Sequence, residues 1–350
     1  MKIAITDSGV GGLSVCAALE GALHRAPRDL DIEVLYLNAA LADDYSYNSM
    51  ATRQEKLQTF GNFLHAAMDH YTPDLLFIAC NTLSVLFEDP FYDAFRDHAI
   101  LGIVDTGAAE LLEAHRQSPA ADIIVFATET TIAENGYGSR LAAAGVAAGQ
   151  VVQQACPGLP DAISNDVSGA QARVLLEDYI PAALARFEQP PQQVLAFLGC
   201  THYGYQAPLF SAGLSSKVKS IRVINPNVAA ADLIVDILSS DDIAQAGRGH
   251  REFRVISRYA IPEKPMQSLP VYLGDQAPAT IAALRNFTHR PGLFTGSWGE
   301  NIEYPRADVL QRSSRARTRR GGARGGLRRP QRGGGCGAGR GAGGGGGGGG

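Results

Sequence analysis

A chain of 350 residues, 45% hydrophobic and 19% charged, has room for two α/β domains that each bury a core, and its composition is that of an ordinary globular protein. Its net charge of −4 conceals two unlike parts: residues 311–350 carry ten arginines and no acid, leaving 21 basic and 35 acidic side chains before them, a net of −14. That acidic body argues against nucleic acid as the partner of the folded part, and no segment approaches the roughly 18 apolar residues of a membrane helix.

In chain order, short apolar runs alternate with longer amphipathic stretches. Residues 3–6 read as a strand that leads through a glycine-rich turn into a helical pattern over 13–23. A strand at 32–37, a helix over 49–70 and a strand at 75–79 follow, the last ending at Cys80. Next come a strand at 100–104, a helix over 108–116, a strand at 123–127 and a helix over 131–144. A strand at 151–154, a helix over 168–187 and a strand at 194–198 lead to Cys200, after which a strand at 221–224 precedes a helix over 228–238. Residues 240–310 offer short elements at 253–257 and 271–273 and a helix near 277–287, with no interpretable motif. Continuous apolar strands separated by helices imply parallel sheets covered on both faces, so the fold class is α/β. From Gln311 onward the chain is almost wholly Arg, Gly, Ser and Ala and ends in eight glycines, a composition that buries no core and is expected to be disordered. Arg/Gly tracts can bind RNA, but a glycine run brings no side chain to do so, and a linker or an artefact of gene prediction is the simpler reading.

The apolar run at the start, MKIAI, stops at Asp7 and is too short for a signal-peptide core, so a cytoplasmic location with no membrane partner is expected. The five cysteines, at 16, 80, 156, 200 and 336, form no CxxC pair, which suggests free thiols and neither a disulfide framework nor a metal site. His24, His65, His70, His98 and His115 have no metal-ligand spacing and read as solvated or packed side chains.

Two segments resemble each other: Leu75-Leu76-Phe77-Ile78-Ala79-Cys80-Asn81-Thr82 and Leu195-Ala196-Phe197-Leu198-Gly199-Cys200-Thr201-His202. Each is a buried-strand pattern, a small residue, a cysteine and two hydrogen-bonding residues. Ligands of open parallel sheets bind beyond the carboxyl ends of the strands, where both cysteines fall. A helix beginning at Asn81 would place its positive end by Cys80 and lower the thiol pKa from about 8.5. A free cysteine is often only a small core hydrophobe, and Cys16, within an apolar helical face, reads that way. Cys156 is ambiguous on spacing. Two cysteines at strand ends, both followed by polar groups, favour a site. In Asp7-Ser8-Gly9-Val10-Gly11-Gly12-Leu13, a strand runs into a turn whose backbone N–H groups suit an anion such as a carboxylate. Asp7 is either a helix cap or part of the site, the second being favoured by its place beside the turn. Ser14 stands where a dinucleotide fingerprint needs its third glycine, and no GxxxxGK[ST] loop occurs.

Together the three segments resemble the aspartate/glutamate racemase superfamily, and within it most closely glutamate racemase. Asp7 to Leu13 matches the opening motif, and Ala79-Cys80-Asn81-Thr82 and Gly199-Cys200-Thr201-His202-Tyr203 match the two catalytic cysteine motifs. Thr128 to Ile132 with Tyr137, and Ala155-Cys156-Pro157, are weaker echoes, and the likeness runs over about residues 1–290. It implies two similar doubly wound domains with the active site in the cleft between them: residues 1–100 with 220–310, and residues 101–219. It implies an isomerase that needs no metal or pyridoxal phosphate and interconverts L- and D-glutamate, supplying D-glutamate for peptidoglycan and hence for cell-wall biogenesis and cell shape. Cys80 and Cys200 would be its acid and base, with Asp7 and His202 assisting. Asp7, Ser8, Tyr45, Ser46, Asn81, Thr82, Thr131, Thr201 and His202 would hold the amino acid. The small-molecule substrate is the one partner implied, and the resemblance leaves room for a homodimer.

The usual Gly-Asp-Thr-Ala-Arg-x-Pro-Tyr-Gly stretch of these racemases is here Asn38-Ala39-Ala40-Leu41-Ala42-Asp43-Asp44-Tyr45-Ser46, keeping Tyr45. Gly204 replaces a proline, and Ser164 replaces a glutamate for which Asp161 or Asp166 could substitute. These departures leave the thiol chemistry intact and alter the pocket, so racemisation of another amino acid such as aspartate is an alternative. A non-catalytic ligand-binding relative is a second alternative, although a binder needs no opposed thiols. A hydrolase using one cysteine with His202 would leave the other cysteine motif unexplained.

Overall fold

The computed structural model describes residues 1–25, 31–43, 45–239 and 249–295. The Arg/Gly-rich segment at 311–350 and Asp44 lie outside the described residues. Among the described residues ten strands form two sheets: β1 (Lys2–Asp7), β2 (Ile32–Asn38), β3 (Leu75–Ile78), β4 (Ile100–Gly102), β5 (Asp122–Ala127), β6 (Val151–Ala155), β7 (Gln193–Gly199), β8 (Ser220–Ile224), β9 (Arg251–Ser257) and β10 (Thr288–His289). The first half of the chain contributes helices α1 (Leu13–Arg25), α2 (Arg53–Tyr71), α3 (Asn81–Leu86), α4 (Ile103–Gln117), α5 (Glu129–Ala133) and α6 (Gly136–Ala143). The second contributes α7 (Leu159–Asn165), α8 (Ala170–Leu184), α9 (Ala207–Ser215), α10 (Pro226–Ser239), α11 (Glu263–Leu273) and α12 (Pro278–Arg285).

The first sheet has the order β10-β9-β2-β1-β3-β4 and the second β6-β5-β7-β8, and every pairing is parallel. β8 thus belongs to the second sheet, although the sequence division assigned residues from 220 onward to the first half. Both faces of each sheet are covered. On the first, Leu19 and Leu23 of α1 and Ile234 of α10 pack on one face, and Phe60, Phe63 and Leu64 of α2 on the other. On the second, Leu176 and Ile180 of α8 and Phe210 of α9 pack on one face, and Leu111 of α4 and Leu141 of α6 on the other. Burial on two faces is why the strands read as unbroken apolar runs such as Leu75-Leu76-Phe77-Ile78, all buried, without alternation.

The sheets share one local topology. From β1 the chain crosses to β2 on one side and returns to β3 on the other; from β5 it crosses to β6 and returns to β7. Each sheet therefore has a switch point at its carboxyl edge, between β1 and β3 and between β5 and β7, where a crevice opens. Cys80 follows β3 and Cys200 follows β7.

Several helices differ from the sequence pattern for local reasons. α2 begins at Arg53, four residues late, because Ser49 N–H closes a turn onto Ser46 and Thr52 caps the helix, its hydroxyl accepting from Glu55 N–H at 3.1 Å. The helix expected over 131–144 is two, divided at Asn135, which takes a left-handed φ of 54°. The element at 271–273 is the end of α11, not a strand.

Candidate active site

Asp7 is the last residue of β1 and faces the turn that opens α1. It is 1% exposed, accepts a 2.9 Å hydrogen bond from Thr201 Oγ1 at its Oδ2, and has no hydrogen-bond partner at Oδ1 among the described residues. Burial raises its carboxyl from 3.8 to about 7, against the opposing pull of the Thr201 hydroxyl and the nearby N–H groups of Gly9, Ser8 and Gly12. The turn expected to cradle a substrate anion thus also turns its N–H groups toward the protein's own carboxylate.

Cys80 caps α3 from its N-terminal side, and its Sγ lies 3.1 Å from Ser8 Oγ. The thiol is pushed up to about 12, first by burial and then by Asp7; Ser8 and the N–H groups of Leu83 and Ser8 lower it by less. The helix-start effect expected from the sequence is present, but a six-residue helix cannot offset full burial. Cys200, after β7, is likewise raised well above the usual thiol range by burial, with Asp7 and Cys80 adding to the effect. Its Sγ is 3.7 Å from His202 Nδ1, and burial lowers the imidazole to about 4, so His202 is neutral near pH 7. Gly11 makes room for that ring: a Cβ at Gly11 would sit 2.5 and 2.6 Å from His202 Nδ1 and Cε1.

A hydrogen-bonded shell fixes these groups. Tyr137 OH donates to Asn81 Oδ1, leaving the buried Asn81 Nδ2 without a partner among the described residues. The hydroxyls of Thr82, Thr128 and Thr131 bond one another at 2.8 to 3.2 Å. Asn227 Nδ2 donates to Thr201 O at 3.1 Å and Ser14 Oγ at 2.8 Å, tying the start of α10 to the second cysteine loop.

Both cysteines line one cavity of about 130 Å3. Of the residues singled out from the sequence, Asp7, Ser8, Ser46, Asn81, Thr82, Thr201 and His202 line it with them. Tyr45 and Thr131 are not in its wall: the Tyr45 hydroxyl donates to Glu55, and Thr131 is spent on Thr82 and Thr128. Of the two acids that might stand in for the missing glutamate, Asp161 lines the cavity, whereas Asp166 accepts from Ser168 and Gln171 N–H ahead of α8. Asn48, Glu129 and Tyr259 also line it and were not singled out from the sequence. Tyr259 lies just past the carboxyl end of β9, so the strand-end rule that flagged the cysteines could have flagged it. No group of three or more His, Cys, Asp or Glu suited to a metal ion occurs among the described residues.

Contacts on both sides of the cavity tie the elements around the first sheet to those around the second. Arg53 of α2 pairs with Glu134 at 2.7 Å and with Asp89 at 2.6 Å, and Lys56 Nζ donates to Thr130 Oγ1 at 2.7 Å. Opposite, Ser268 Oγ of α11 donates to Ser164 O at 2.5 Å, and Tyr272 OH lies 3.0 Å from the carbonyls of Ile163 and Asp166.

No family model matches the chain. Among curated proteins it is similar to the glutamate racemase of Aquifex aeolicus, 27% identical over 242 residues, covering 69% of this chain and 85% of the relative. It is also similar to that of Chlorobaculum parvum, 27% identical over 279 residues, covering 79% and 93%. Among solved structures it shares its fold with a glutamate racemase isoform of Bacillus anthracis (TM-score 0.60, 21% identity, 78% of this chain and 93% of the other). The Francisella tularensis glutamate racemase in complex with D-glutamate gives a TM-score of 0.58 at 21% identity, over the same shares. By sequence, then, this chain is similar to glutamate racemases, as the three motifs read together imply, and it shares its fold with solved structures of such enzymes.

Proposed function

We propose that this chain is a cofactor-independent amino-acid racemase in which Cys80 and Cys200 exchange a proton with opposite faces of the substrate Cα. The observation that carries the reading is the placement of two buried thiols at the matching switch points of two sheets, both in the wall of one cavity. Inversion at carbon requires removal of the proton from one face and delivery to the other; a single base would tend to return it to the face it left.

The free cavity holds both thiols in their protonated form, because burial and Asp7 disfavour the thiolate. Reaction therefore starts with proton transfer from one thiol. His202 Nδ1 is the nearby acceptor for Cys200, and the substrate ammonium, drawn to the unpartnered Asp7 Oδ1, offsets the negative charge that raises both thiols. The thiolate then takes the Cα proton, negative charge develops on the α-carboxylate side, and the opposite thiol delivers its proton to the other face. Asn81 Nδ2 is the unpartnered donor placed for that carboxylate. For the other enantiomer the thiols exchange roles.

The names of the relatives make glutamate the first substrate to test, and supply of D-glutamate for peptidoglycan is the role we infer. No described helix is long and apolar enough to cross a membrane, and the reading places the enzyme, as a monomer or homodimer, in the cytoplasm. Two halves built on the two sheets would be its domains, about residues 1–102 with the segment from 225 onward, and residues 103–224. The test is proton NMR in deuterated water with each enantiomer of glutamate, then other amino acids. Loss of the Cα–H signal with appearance of the opposite enantiomer is expected, and replacing either cysteine by serine should cut racemisation by about 10²–10⁴-fold. Full turnover by both single-serine variants would defeat the two-thiol reading.

A further inference from the structure

The inner half of the cavity suits the head group of any α-amino acid: a buried acceptor, Asp7 Oδ1, and a buried donor, Asn81 Nδ2, both lack partners among the described residues. These needs are opposite, and an ammonium and a carboxylate on one carbon meet both. The rest of the wall must face the side chain. It is built from residues 40–43 and 46–48, the segment from Gly158 to Asn165 and the segment after β9 that carries Tyr259.

That outer wall is acidic. Asp43 and Asp161 line it, no lysine or arginine lines the cavity among the described residues, and His202 is neutral near pH 7. Asp161 stands on the first turn of α7, an exposed residue of the cavity wall, its carboxyl held above the usual range by partial desolvation and then by Asp43. Tyr259 is half-buried nearby, beside the Asn38 side chain and within reach of the charges of Asp43, Asp7 and Asp161. A side chain ending in a carboxylate meets like charge there, whereas one ending in an amide or an ammonium finds acceptors.

We propose that Asp161, with Asp43 beside it, sets the side-chain selectivity of this cleft, disfavouring a terminal carboxylate and favouring a terminal hydrogen-bond donor. This rests on the racemase reading and names the substrate class within it: α-amino acids of about glutamate's length whose side chain ends in an amide or an ammonium bind better than glutamate does. Asp161 acts on binding and takes no part in moving the Cα proton.

The experiment measures Cα–H exchange in deuterated water, as KM and kcat separately, for glutamate, glutamine and ornithine with the full-length wild type, Asp161→Asn and Asp161→Glu. The wild type should show a lower KM for glutamine and ornithine than for glutamate. Asp161→Asn should lower the glutamate KM about fivefold and raise that of ornithine by a similar factor, the scale of one partly screened charge. Asp161→Glu should keep the wild-type order, and Asp43→Asn should shift KM in the same sense as Asp161→Asn by a smaller factor. The proposal is overturned, with the racemase reading intact, if glutamate has the lowest KM in the wild type or if Asp161→Asn leaves the order of the three unchanged. Exchange of no amino acid by folded, reduced protein overturns both the racemase reading and the proposal.

Discussion

Replacing Asp7 by Asn removes a carboxyl that the fold holds at about 7 against an ordinary 3.8. Between those values the unfolded chain has lost the proton and the folded chain keeps it, so unfolding releases a proton and rising pH favours the unfolded state. Burial of Asp7 is therefore neutral to stability below about pH 4, becomes increasingly unfavourable as pH climbs, and is fully unfavourable above about pH 7. A shift of roughly three pKa units at about 1.4 kcal/mol each sets the size at about 4 kcal/mol. Asn keeps an oxygen to accept from Thr201 Oγ1 and carries no titratable group, so the variant should lack this pH dependence. Urea unfolding of wild type and Asp7→Asn at pH 4.5, 6, 7.5 and 9 reads the difference directly. The variant should gain on the wild type by up to about 4 kcal/mol across that range, with most of the gain in place by pH 7.5. Its racemisation should fall sharply above about pH 7, where the wild-type carboxyl that awaits the ammonium is charged and the amide is not. A stability difference constant from pH 4.5 to 9 would refute the argument, for it would mean that Asp7 is ionised in the folded cavity as it is in the unfolded chain.

Gly11→Ala puts a methyl group against the His202 ring and the Thr201 hydroxyl; it should cost about 1–3 kcal/mol and, by moving His202, lower kcat by about 10²-fold, checked by unfolding and by steady-state rates. Both thiols titrate above their ordinary range, so the thiolate fraction grows as pH rises, and kcat/KM should climb from pH 6 to 8.5; a maximum near pH 6 would contradict that. Glu20 is buried and accepts from the N–H groups of Ala279 and Thr280 and from Thr280 Oγ1, each at 2.8 Å. Glu20→Leu strands those donors at the start of α12 and should cost about 2–4 kcal/mol in a thermal melt while leaving the cavity wall untouched. Arg53→Ala removes exposed ion pairs to Glu134 and Asp89 and should change stability by less than about 1 kcal/mol, despite their short distances.

The amino-acid sequence alone determined the α/β class and the chemistry at its centre. Strands buried on both faces are written as continuous apolar runs, and ligand sites at parallel strand ends come from the few residues immediately after those runs, so Asp7, Cys80 and Cys200 could be read locally. Local patterns also carried the errors: the helix over 131–144 hid a left-handed Asn135, and residues 271–273 passed for an element of their own although they end α11. What the sequence could not decide is anything that depends on two distant segments meeting. That Thr201 donates to Asp7 across 194 residues, that Tyr45 turns to Glu55 and away from the cavity, and that Asp161, not Asp166, reaches the wall follow from how the two sheets are brought together. The same holds for charge. A helix start beside Cys80 is visible in the sequence and argues for a low thiol pKa, but the degree of burial reverses the sign, and burial is a property of the packed chain.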